Sequence, residues 1–98
     1  MQRTFNHIPK ENAETIALQA LAFLASDASR LTQFIAQTGI TLEDLHLRAG
    51  ELVVMLAALD ALMRDEPNLL IFSANSRIDA ELVLRAHATL EKAALEGK

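Results

Sequence analysis

The chain has 98 residues, a formal net charge of −4, 51% apolar residues and only 4% aromatic ones. A chain of this length forms one domain and must spend most of its apolar side chains on its own core. The acidic balance argues against nonspecific nucleic-acid binding, which needs a basic face to displace phosphate counterions. The absence of cysteine excludes a disulfide framework, a thiolate metal site and a thiol nucleophile.

The segment 1–8 reads as a loose N-terminal stretch, and its start lacks the apolar run of a signal peptide. The first long helix is expected to begin between Pro9 and Asn12 and to run to about Ala25. Asp27 caps a short helix that carries Leu31, Phe34 and Ile35 on one face, and Gly39 ends it in the left-handed conformation. Thr41 then caps a third helix, with Asp44 as capping-box partner and Ile40 and Leu45 at the spacing of a hydrophobic staple.

After Gly50 the same punctuation returns. Glu51 to Arg64 forms a long helix, and Asp65 or Glu66 caps the next short one because Pro67 disfavours helical geometry at Glu66. Arg77 stands where Gly39 stood, so the turn is expected to differ, with Asn75 as the left-handed residue. Asp79 occupies the place of Thr41, and the last helix continues to about Glu96. The nearly apolar runs 16–25 and 52–63 are broken by Gln19 and Asp60 and are too short to span a membrane. A cytoplasmic protein is therefore expected.

The returning punctuation reflects a repeat. Laying 17–47 on 55–85 without gaps gives 10 identities in 31 positions, among them Leu24 on Leu62, Asp27 on Asp65 and Phe34 on Phe72. The expected fold is all-α: a compact six-helix bundle of two tandem three-helix repeats, one about 10–49 and the other about 50–96, in a single domain 1–98. Both long helices are apolar almost all round and should form the buried centre. Thr15, Gln19, Ala22 and Ser26, with Val53, Ala57, Asp60 and Arg64 at the matching positions, mark one solvent-facing edge on each.

Local chemistry is sparse. Residues 34–45 have the rhythm of a DNA-binding helix-turn-helix, but the would-be reading face carries Glu43 and Asp44 and no cation before Arg48. The three histidines do not converge. His87 and Glu91 share a helix face at i, i+4 without a third ligand, and His46 stands beside Glu43. Pairs Asp44–Arg48, Asp60–Arg64 and Glu81–Arg85 read as surface helix support. No catalytic, cofactor-binding or metal-binding residue is assigned, no cofactor is expected, and the chain does not read as an enzyme.

The clearest functional hint is a difference between the copies. Thr32 and Gln33 become Leu70 and Ile71, giving four successive apolar residues, Leu69 to Phe72, on a short helix that should bury one stripe. Either the long last helix covers this helix, which is the preferred reading, or an apolar patch of Met63, Leu70 and Ile71 is left for a partner.

The segment Leu18-Gln19-Ala20-Leu21-Ala22-Phe23-Leu24-Ala25, followed by Asp27, Leu31, Phe34, Thr38-Gly39 and later Asp65-Glu66, resembles a family of small alphaproteobacterial proteins, domain of unknown function 3572. The resemblance covers about residues 10 to 90. It implies a bacterial, cytoplasmic, all-helical domain and brings no activity, cofactor or site residues with it. The functional expectation is a non-enzymatic helical module that docks a protein partner or itself, without membrane insertion. The alternative is a degenerate helix-turn-helix in a nucleic-acid-associated complex.

Overall fold

In the computed structural model, which describes residues 8–97, six helices follow one another: α1 (Lys10–Ala25), α2 (Ala28–Thr38), α3 (Leu42–Leu47), α4 (Leu52–Met63), α5 (Glu66–Ser76) and α6 (Ala80–Glu96). No strand occurs among the described residues. The radius of gyration, 13.0 Å, equals the roughly 13 Å expected of a compact chain of this size.

Local chemistry sets most of the boundaries. The Asp27 carboxylate accepts from the N–H groups of Ser29 and Arg30 at 2.8 and 3.2 Å, satisfying two of the donors that open α2. These two bonds, the Arg30 one first, hold the Asp27 carboxyl below the usual carboxylate range. Thr41 and Asp44 form the expected capping box, with reciprocal bonds of 3.1 and 3.0 Å. Asp65 caps α5 by accepting from Asn68 N–H at 3.2 Å. Pro67 is the second residue of α5, so Glu66 lies inside the helix; a first-turn proline lacks only an N–H that the helix does not use.

Two turn expectations are corrected. The left-handed residue after α5 is Arg77 itself, at φ 61°, and not Asn75. The chain needs the same reversal there as at Gly39, at φ 77°, and the position rather than the residue type decides where it falls. Asp79 opens α6 by position but makes no side-chain cap bond, unlike Thr41.

The core has three central helices, where two were expected. α1, α4 and α6 pack against one another, while α2 and α5 each lie against both α1 and α4. α3 joins none of these extended packings. Alanine makes the close approach feasible: Ala13, Ala17 and Ala20 on α1, Ala58 on α4 and Ala86 on α6 are fully buried, and small side chains shorten the distance between helix axes. Phe34 and Phe72 close the core from α2 and α5. The polar edge behaves as expected on α1, where Thr15, Gln19, Ala22 and Ser26 are exposed. On α4 Val53 and Arg64 are exposed and Ala57 and Asp60 half-buried.

One contact corrects the N-terminal expectation. The Ile8 N–H donates to the Thr89 hydroxyl at 2.9 Å, and that hydroxyl donates to the Ile8 carbonyl at 3.2 Å. Thr89 is a buried polar side chain of α6, and the Ile8 backbone satisfies it in both directions. Ile8 also packs partly against the core, so it is anchored rather than loose. The rest of that expectation, residues 1–7, lies outside the described residues.

Candidate docking surface

The face that α5 turns away from the core carries exposed apolar side chains at helical spacing; Leu42, Leu47, Val53 and Leu95 are exposed as well, on other helices. Phe72 is 1% exposed and Leu69 packs partly on the core, which fixes the inward side of the helix. At 100° per residue the opposite side carries Pro67, Leu70, Ile71 and Ala74, spaced i, i+3, i+4, i+7. All four are exposed, Leu70 at 54% and Ile71 at 41%. α6 does not cover them. It packs chiefly on α1 and α4, so the preferred expectation of burial is overturned for this pair.

The matching positions on α2 are Ser29, Thr32, Gln33 and Ala36, a mostly polar set. The sequence singles out Leu70 and Ile71 but not Pro67 and Ala74, because a proline at that place signals a helix start. Their helical spacing was the available clue. Met63, the last residue of α4, is half-buried and packs against the core, so only part of it is free for a partner.

The other sequence candidates stay separate. α3 has six residues, about 9 Å of helix. Its nearest cation, Arg48, is held by Glu51 at 3.1 Å and Asp44 at 3.5 Å, which raises the guanidinium pKa, with the Glu51 bond contributing most. Asp44 in turn is held below the usual carboxylate range, chiefly by the Thr41 N–H. His46 is exposed and His87 half-buried. No group of three or more potential metal ligands occurs among the described residues. The expected pairs form, with Asp60–Arg64 and Glu81–Arg85 both at 2.9 Å, and as surface pairs each is worth at most about 1 kcal/mol.

A cleft of about 400 Å³ opens between α2 and α4. Leu24, Phe34 and Ala61 form its apolar floor, and its rim is polar, with Gln33, Gln37 and Arg64 along the solvent side. Arg30 and Asn68 meet at its end, where Arg30 Nε donates to Asn68 Oδ1 at 2.9 Å. Both guanidiniums are already paired, Arg30 with Asp27 at 3.5 Å and Arg64 with Asp60.

A family model described as "Protein of unknown function (DUF3572)" matches residues 10–93. The chain belongs to that family. The DUF3572 match begins at the first residue of α1 and ends within α6, so it contains both the α5 face and the cleft. No curated protein and no solved structure matches the chain. No described helix of this DUF3572 member is long and apolar enough to cross a membrane.

Proposed function

We propose that this protein is a non-enzymatic interaction module whose outer α5 face docks an apolar helix stripe, on a protein partner or on a second copy. The observation that carries the reading is the exposed set Pro67, Leu70, Ile71 and Ala74 on a helix whose core side is already satisfied by Phe72 and Leu69. A second stripe at helical spacing is the pattern by which one helix lies along another, with anchors at i, i+3, i+4 and i+7. Burying Leu70 and Ile71 fully against a partner contributes about 1.5–3 kcal/mol for each side chain, before the cost of association. The polar rim of the cleft supports the non-enzymatic reading, because its cations are committed to carboxylates, its one carboxylate, Asp65, is bonded to the backbone and side-chain amide of Asn68, and its other polar groups are amides. The acidic surroundings of α3, with Arg48 bridged on both sides, support a protein partner over nucleic acid.

Photo-crosslinking tests this directly. A photoreactive residue placed at Ile71 should give discrete crosslinked products in the native host, whereas the same residue at Gln33, the matching position on α2, should not. Equal labelling from both positions would remove the α5 face as a specific surface. Sedimentation equilibrium of the purified chain then separates self-association from docking of a different protein.

A further inference from the structure

The two short helices share a frame but not their surroundings. α2 and α5 have the same length, and both of their ends differ by 38 residues. Each lies against α1 and α4, and their first turns meet through Arg30 and Asn68, themselves 38 residues apart. A residue bonded to its own counterpart lies near the axis that relates the two halves.

On one side of that axis Phe23 fills the space beside α5. Its ring meets Phe72 edge-on at 5.5 Å and 63°, and the Arg30 guanidinium lies 4.4 Å from its centroid. The positions 38 away from, or back from, Phe23, Phe72 and Arg30 are Ala61, Phe34 and Asn68. All three line the cleft of about 400 Å³ between α2 and α4. A methyl group stands there where a benzyl group stands on the other side, so the cleft contains the volume of a missing ring.

We propose that this cleft receives an aromatic side chain from a partner polypeptide, seated on Phe34 as Phe23 is seated on Phe72. The floor supplies one aromatic side chain, Phe34, and two aliphatic groups, and aromatic pairs favour the offset or edge-on geometry that Phe23 already displays. The rim supplies planar amide and guanidinium groups that stack on a ring face. One ring in an apolar socket with a polar rim is the anatomy of an interface anchor. The exposed Gln37 and Arg64 leave the mouth open, and a partner's backbone covers it better than a free small molecule, whose sites enclose most of the ligand. This site is separate from the outer face of α5 and does not rest on that reading.

The test is a titration of isotope-labelled protein with N-acetyl-phenylalanine amide, with N-acetyl-leucine amide as the apolar control, followed by amide chemical shifts. The aromatic probe should saturate in the millimolar range, move Gln33, Gln37, Ala61 and Arg64, and bind about fivefold more tightly than the leucine probe. Ala61→Phe should fill the cleft from within, abolish those shifts and raise the thermal midpoint. Leu70→Thr with Ile71→Gln should leave them unchanged. Absent shifts, equal binding of both probes, or an Ala61→Phe protein that unfolds or still binds would each overturn the proposal. Dilution alone moving the same resonances would name a second copy as the occupant, also against it.

Discussion

Phe34 and Phe72 occupy the same position on helices of the same length, are both almost fully buried, and differ only in their neighbours. Replacing a buried Phe with Ala costs about 3–5 kcal/mol, and the place within that range depends on the cavity left behind. Phe72 packs edge-on against Phe23, a pairing worth about 0.5–1.5 kcal/mol beyond burial, and its loss leaves a void walled by that ring. Phe34 lines a cleft that already opens to solvent, so its removal enlarges a wet space instead of sealing an empty one. Phe72→Ala should therefore fall near the top of the range and Phe34→Ala near the bottom, a difference of about 1 kcal/mol. Either loss is large beside the roughly 5–15 kcal/mol that stabilises a whole domain. Urea unfolding followed by helical circular dichroism measures both, and the denaturant slope should match the parent protein in each case. A Phe34→Ala cost equal to or above that of Phe72→Ala would refute the cleft argument. Losses below about 1 kcal/mol at both would refute the core assignment.

Arg77→Gly should stabilise the chain by about 1 kcal/mol, because a left-handed backbone strains a residue that has a Cβ; a lower urea midpoint would show that the arginine contributes an unrecognised contact. Thr89→Val should cost about 1–3 kcal/mol by leaving the Ile8 N–H without its partner, and the Ile8 amide should lose protection from hydrogen exchange. The Asp27 carboxyl titrates lower in the folded state than in the unfolded one, so its contribution is fully present above the unfolded value and disappears as pH falls through the folded value. Asp27→Asn keeps the cap acceptor and should flatten the acid limb of the stability–pH curve; an unchanged limb would show that another carboxylate controls it. Superposing residues 15–45 on 53–83 should match α2 with α5 and their turns, while α3 and the start of α6 diverge in packing.

The readable parts of the fold were those encoded by neighbouring residues. Asp27, Thr41 with Asp44, and Asp65 announced helix starts because a cap acts within four residues of its own position. What escaped depended on distant partners. α6 carries Glu81, Arg85, Glu91 and Lys92 and lacks the nearly all-round apolar surface of α1 and α4, yet Val83, Ala86 and Leu90 are buried because alanines on α1 let it approach closely. The Ile8–Thr89 clasp spans 81 residues and has no local signal beyond a threonine on an apolar stripe. The exposure of Leu70 and Ile71 turned on where α6 runs, which the composition of α5 could not decide. The cleft leaves its trace at a mismatch of the 38-residue overlay, Phe23 against Ala61, where an alignment by identities carries no signal.

The double replacement Leu70→Thr and Ile71→Gln, which introduces the residues found 38 positions earlier on α2, tests the docking account most directly. With both side chains exposed, the urea midpoint should change by no more than about 0.5 kcal/mol equivalent, while the crosslinked or self-associated species is lost. An unfolded or strongly destabilised protein would contradict the account by making the α5 face part of the core. A stable protein that keeps its complex intact would contradict it by placing the docking surface elsewhere.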